Sequence, residues 1–195
     1  MAEQVTDERL VEQAANGNTA AFQILYERYR EPIFRFAYRL LGSAEAAEDV
    51  AHDCFLSLIK EPGRFDASRA SLRTYLYAAA RHQAAKRYQS LGRETGIDEL
   101  AGEPHSSDRQ GPMAVMLNDE LGGEIERAIA SVPIAQREAL VLFEYEDLSL
   151  AEIAAVVGAD SNTVKVRVFR AREKLRARLD RSVRLGDATV PVKRA

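Results

Sequence analysis

Nine basic residues fall between Ser161 and Leu185: Lys165, Arg167, Arg170, Arg172, Lys174, Arg176, Arg178, Arg181 and Arg184. Two acids, Glu173 and Asp180, offset them and leave the stretch at +7. Such a run is either the solvated face of a bundle helix or a surface for a polyanion. The residues just before it decide between these. Ser149 and Glu152 have the spacing of a capping box, and Gly158 closes the short helix they would open. A second helix can start three or four residues later, at Ser161 or Asn162, which makes a helix-turn-helix pattern. Ile153, Val157, Val164 and Val168 are spaced to pack between the two helices, and the small Ala154 lets them approach. The outer face of the second helix then presents Ser161, Asn162, Lys165, Arg167 and Arg170, with Thr163 and Lys174 as further candidate contacts. Amides and guanidinium groups in that position read base edges in a major groove, and lysines hold phosphates. Glycine turn, capping box and charge asymmetry together point to DNA.

The remaining side chains offer little other chemistry. The single cysteine, Cys54, excludes an internal disulfide and a cysteine zinc cluster, and it falls on an apolar stripe, as a small core residue does. His52, His82 and His105 form no metal-binding spacing and read as surface polar groups, and no phosphate-cradling glycine loop or nucleophile elbow is present. Asp49 and Asp53 share a helix face, but no partner acid or histidine pair completes a metal site. These absences count against an enzyme without excluding one, and no cofactor and no metal are expected. The acidic start of the chain, with Glu3, Asp7 and Glu8, has no apolar core of a signal peptide, and no apolar run approaches the roughly 18–20 residues of a membrane span.

Helices must position these groups. The chain has 195 residues, 46% hydrophobic and 29% charged, an ordinary composition for a folded protein of one domain or two small ones. Three-four spacing predicts a helix carrying Leu10, Val11 and Ala14, capped by Thr6 or Asp7. A longer helix carries Phe22, Leu25, Tyr29, Ile33, Phe36 and Leu40 and stops at Gly42, with a kink at Pro32. A third follows Ser43 with Val50, Cys54, Phe55 and Leu58 inward, and a fourth runs from about Ser71 to Gln89. Residues 91–112 lose apolar periodicity and are rich in glycine and acid, which predicts a flexible acidic linker. From Leu91 to Ala130, nine acids face three bases. Helical pattern resumes near Met113, and Pro133 opens a helix with Ala139, Leu140, Leu142 and Phe143 inward. The prediction is an all-α chain of two small domains, 7–90 and 113–180, joined by the linker 91–112 and followed by a tail, 181–195.

These residues resemble the bacterial RNA polymerase sigma factors of the extracytoplasmic-function type, group 4 of the sigma-70 superfamily. Ala21-Phe22, Leu25-Tyr26 and Leu40-Leu41-Gly42 resemble the opening of sigma domain 2. Ala47-Glu48-Asp49-Val50, continuing to Asp53 and Phe55-Leu56, resembles the segment that docks on the β′ clamp. Phe65-Asp66, Tyr75-Leu76 and Ala80-Arg81-His82 resemble the segment that opens the minus-ten element. Val132-Pro133, Gln136-Arg137-Glu138 and the helix-turn-helix resemble domain 4. The resemblance implies polymerase binding by Glu48, Asp49, His52, Asp53 and Leu56. It implies minus-ten contacts by Tyr75, Arg81, His82, Lys86 and Arg87, and minus-thirty-five contacts by the set on the second helix of the motif. It also implies a cytoplasmic protein whose partners are core RNA polymerase, through β′ clamp and β flap, promoter DNA, and an anti-sigma protein, with no membrane. The chain departs from the family in having Tyr75 where Trp is common, His82 for Asn and Lys86 for Asp, and no tryptophan at all. A stand-alone helix-turn-helix regulator, binding operator DNA as a dimer, is the rival reading, though no dimerisation heptad supports it.

Overall fold

A computed structural model describes residues 5–90 and 120–187. The expected linker 91–112, with 113–119 beyond it, lies outside the described residues, as does most of the expected tail. Among the described residues the architecture is helical, without strands.

The first unit is α1 (Asp7–Ala15), α2 (Thr19–Leu41), α3 (Ala44–Lys60), a 3₁₀ turn (Pro62–Arg64) and α4 (Leu72–Ser90). Side-chain caps start the first three helices: Thr6 accepts from Arg9 N, Asn18 from Ala21 N and Ser43 from Ala46 N. α2 continues through Pro32 as one helix and ends on Gly42 in a left-handed conformation, φ 71°. Its inner stripe, Leu25, Ile33, Phe36 and Leu40, packs with Val50 and Phe55 of α3 and Leu72 and Leu76 of α4, all fully buried. Phe55 meets Tyr26 at 5.0 Å and Phe22 at 6.2 Å, both edge-on, an arrangement that suits the ring quadrupoles. Asp7 fastens α1 to α2 through Arg28 and the Tyr29 hydroxyl, whose pKa burial and this carboxylate push up to about 12. Cys54 lies in this core, and burial raises its thiol to about 12, so it is an inert filler.

The second unit is α5 (Glu120–Ala130), α6 (Ile134–Glu144), α7 (Leu150–Val157) and α8 (Ser161–Asp187). Pro133 precedes α6, where a missing N–H costs nothing. Ser149 and Glu152 form the expected capping box: Glu152 N donates to Ser149 Oγ at 3.3 Å, and Ser149 N donates to Glu152 Oε2 at 2.9 Å. Gly158, at φ 66°, turns the chain from α7 toward α8. α8 starts at Ser161, as expected, and Asp160 caps it, accepting from Thr163 N at 2.9 Å and from Thr163 Oγ1 at 2.6 Å. Those bonds hold its carboxyl below the usual range. Ile153, Val157, Val164 and Val168 are buried between α7 and α8, as their spacing predicts. α8 runs to Asp187, slightly past the expected end near Arg184.

The two units pack against each other, α4 on α7 and α2 on α5 and α6. The apolar core is continuous across the boundary, yet the boundary also carries buried charge. Arg137, 8% exposed, donates to Leu40 O at 2.9 Å and to Val132 O at 3.0 Å, and also to Ala130 O. Its guanidinium therefore serves free carbonyls at the C-terminal ends of both α2 and α5, where a cation also suits the helix dipoles.

Candidate nucleic-acid and polymerase interface

Three surfaces carry the residues predicted from sequence. On α8, Ser161, Asn162, Lys165, Arg170 and Lys174 are exposed, and Thr163 is half-buried against its cap. Arg167 departs from the expected outer face. It is half-buried, lies roughly 160° around the helix from Phe169, and its charge acts on the buried Glu138. The centre of the outer face is instead Phe169, 63% exposed, with Val166 beside it. Sequence reasoning misses both, because apolar residues on a helix read first as core. Their signal is position: neither falls on the Val164–Val168 stripe. An exposed phenyl ring and a valine between Lys165 and Arg170 can meet a thymine methyl while the flanking bases hold phosphate. Arg172 turns away from this face, donating to Glu144 Oε1 at 2.6 Å and lying over Phe143 at 5.2 Å.

On α3, Glu48, Asp49 and His52 are exposed, and Asp53 and Leu56 are partly so. The five share one side of the helix, opposite Val50, Cys54 and Leu58. Asp49 and Asp53 are already engaged within the chain: Arg87 of α4 reaches Asp53 at 2.9 Å and Asp49 at 3.4 Å.

On α4 the predicted minus-ten residues separate. Tyr75, His82 and Lys86 fall on one side of the helix, with His82 and Lys86 exposed. Tyr75 is half-buried with its ring 5.6 Å from Phe65, and burial raises its hydroxyl pKa. Arg87 turns to α3. Arg81 turns the other way, to the second unit, and donates through Nε to Glu138 Oε2 at 2.9 Å. Tyr77, one turn before Arg81, is buried and donates to Glu146 Oε2 at 2.5 Å. Glu138 and Glu146 are each 3% exposed. Burial raises both carboxyl pKa values; Arg81 opposes this at Glu138, and the bond from Tyr77 opposes it at Glu146. The sequence holds a trace of Glu138, which is four residues from both Ile134 and Leu142 on the buried stripe of α6. Among the described residues no group of histidine, cysteine, aspartate or glutamate could hold a metal ion, and no helix is long and apolar enough to cross a membrane.

Comparison with known proteins matches residues 25–94 to Sigma-70 region 2 and residues 122–175 to Sigma-70, region 4. The chain is 32% identical over 183 residues to the RNA polymerase sigma-H factor of Pseudomonas aeruginosa, covering 90% of this chain and 94% of that one. It is equally similar to the ECF RNA polymerase sigma-E factor of Escherichia coli, covering 90% and 95%. Among solved structures it resembles CnrH in complex with the cytosolic domain of CnrY, with a TM-score of 0.67 and 25% identity over 89% of this chain and 97% of that one. The sigma factor RpoE of Bartonella quintana, solved with the anti-sigma factor NepR, shares the fold at a TM-score of 0.63 and 23% identity, over 82% of this chain and 96% of that one. Two sigma-70 regions in order, and this identity across nine-tenths of the chain, place the protein in the extracytoplasmic-function group of RNA polymerase sigma factors.

Proposed function

We propose that this sigma factor divides its work among the three surfaces. The outer side of α3, with Glu48, Asp49, His52, Asp53 and Leu56, meets a basic surface of the polymerase clamp. The exposed side of α4, with Tyr75, His82 and Lys86, receives the non-template strand at the minus-ten element, and Arg81 and Arg87 join it once their present partners release them. The outer face of α8, from Ser161 to Lys174, reads the minus-thirty-five duplex, with Phe169 and Val166 at its centre. The domain limits, 7–90 and 113–180, follow the same division.

The observation that carries this reading is the α7–Gly158–α8 motif, whose exposed face combines an aromatic ring, an amide and bases over a fully apolar seat. The process is binding, not bond-making. Flipping a base costs a few kcal/mol, stacking returns about 1–3 kcal/mol per base, and polymerase contacts supply the difference. Core polymerase, promoter DNA and an anti-sigma protein are the proposed partners, and the cytoplasm the proposed compartment. The likeness in fold to a sigma factor solved with the anti-sigma factor NepR supports the anti-sigma partner.

A gel shift on a promoter library with and without core polymerase tests the proposal. Sequence-specific complexes are expected only when core enzyme is present. Equally tight, specific binding by the protein alone would overturn it.

A further inference from the structure

The seam between the two units carries a series of polar contacts, each joining one unit to the other. At the end of α2, Leu40 O accepts from Arg137 of α6 at 2.9 Å. Along α4, Arg81 donates to Glu138 Oε2 at 2.9 Å, the Tyr77 hydroxyl donates to Glu146 Oε2 at 2.5 Å, and Arg73 donates to the Glu146 backbone carbonyl. Arg39 of α2 faces Glu126 of α5 at 3.3 Å and lies over the Tyr145 ring at 4.1 Å. The closure is incomplete. Arg39 Nε, despite its ion pair, and Glu146 Oε1 are buried without a hydrogen bond, and parting the units would return both to water. A buried ion pair such as Arg81–Glu138 contributes little net stability, because lost hydration offsets the attraction. Such a seam fixes one arrangement of the units and still opens readily.

The docked chain cannot do what two promoter elements demand. The minus-ten and minus-thirty-five elements are about 25 base pairs apart by name, roughly 85 Å along B-form DNA at about 3.4 Å per base pair. α4 packs on α7, and α7 packs on α8. Packed helix axes lie about 8–10 Å apart, so α4 and α8 are at most about 20 Å apart where they share α7. α4, with 19 residues, is about 28 Å long, and α8, with 27, about 40 Å. The two helices therefore cannot hold both elements until the units part. The seam also ties up Arg81 on the α4 side. The outer side of α3 is different: Glu48 and His52 stay exposed in the docked chain, open to polymerase.

We propose that this seam is an autoinhibitory latch. In the free chain, Tyr77–Glu146, Arg81–Glu138 and the Arg39 contacts hold the two DNA-reading helices too close together for one promoter. Core polymerase engages α3 first and then opens the latch by binding the parted units more tightly than the docked ones. A partner can shift the equilibrium only by that difference in affinity, so the latch lowers the apparent affinity for core enzyme by the fraction of chains that are open. The proposal rests on the assignment of α3 to polymerase and of α4 and α8 to the two promoter elements.

The test uses the full chain carrying dyes at Glu12→Cys and Ala155→Cys, both exposed positions, with Cys54 too buried to label. Energy transfer between the units should fall when purified core polymerase is added to the otherwise wild-type chain. Tyr77→Phe combined with Arg39→Ala removes contacts of the seam and leaves the three proposed binding surfaces intact. This double variant should show lower transfer before any polymerase is added. It should also bind core enzyme about tenfold more tightly, as expected when the binding-competent fraction rises by that factor. A variant that is merely destabilised would bind more weakly. Arg9→Ala, an exposed site with the same change of charge, should do neither. If the double variant does not fold, Tyr77→Phe alone removes a single hydroxyl and should move transfer and affinity the same way by less. Energy transfer that stays constant as core enzyme binds, or lowered transfer in the variant without a gain in core affinity, would overturn the latch and leave the sigma-factor reading standing. A chain that never captures core enzyme would overturn that reading, and the latch with it.

Discussion

Helices α4 and α8 are both rich in base, and they hold it in opposite ways. α8 seats an apolar stripe on α7 and leaves Lys165, Arg170 and Lys174 in water. α4 commits its arginines to acids on neighbouring helices: Arg87 to Asp49 and Asp53, Arg81 to Glu138, while Arg73 and Tyr77 hold Glu146. The helix assigned to duplex reading is ready as folded. The helix assigned to the opened strand has Arg81 and Arg87, both half-buried, paired with acids until something exchanges partners with them. On the proposed reading, readiness tracks what each surface would meet: intact duplex at α8, and at α4 a melted strand once polymerase has engaged.

Emptying the seat of α8 should break this contrast most severely. Ile153→Ala leaves a cavity at a fully buried position and should cost about 2–5 kcal/mol, read as a lower melting temperature with loss of all minus-thirty-five binding. Phe169→Ala should separate the two properties. It leaves the melting temperature within about 0.5 kcal/mol, since an exposed side chain contributes little to folding. It should cost about 1–3 kcal/mol of promoter affinity and relax preference at one base position in a library selection. Arg167→Ala, whose side chain lies off that face, should not shift base preference. If it shifts preference and Phe169→Ala does not, the face has been assigned to the wrong side of α8.

The buried acids make the α4 side sensitive to pH, and the direction follows from their raised carboxyl pKa values. Around Glu138 lie Arg81, Arg167 and Arg137; around Glu146 lie Tyr77, Arg35, Arg39 and Arg73. In the docked state these carboxyls hold protons to higher pH than when open to water, so docking takes up protons. Docking should therefore be strongest below the ordinary carboxylate pKa and weaken as pH rises through the raised values. Energy transfer between the units should fall from acidic to neutral pH, and Glu138→Gln should flatten the curve. The smallest effect belongs to the exposed pairs. Asp49→Asn should cost at most about 1 kcal/mol of stability through Arg87, while weakening capture of core polymerase in a titration.

Much of the α7–α8 surface is legible in the sequence, because its logic is local. A capping box, a glycine turn and a valine stripe fix two helices and the direction their faces point. Helices α1 to α4 are legible for the same reason, from the spacing of residues such as Leu25, Ile33, Phe36 and Leu40. What the sequence does not disclose is the pairing of residues far apart in the chain. Tyr77 meets Glu146 across 69 positions and Arg81 meets Glu138 across 57. No periodicity encodes such contacts, so nothing in the sequence ties Tyr77 to a partner, and Arg81 reads as a DNA contact. Phe169 is missed for a different reason: its outward direction follows from the stripe, but its hydrophobicity argues the other way.

Run-off transcription with purified core polymerase on a promoter library tests the central claim most directly, with wild type compared with Phe169→Ala and His82→Ala. Promoter-specific transcripts should require both this chain and core enzyme. Phe169→Ala should lose them on promoters that depend on the minus-thirty-five element. His82→Ala should lose them on duplex templates and regain them on templates already melted at minus ten, where the cost of unstacking has been met. No transcripts with wild-type protein, or defects that are equal on duplex and melted templates, would contradict the division of labour between α8 and α4.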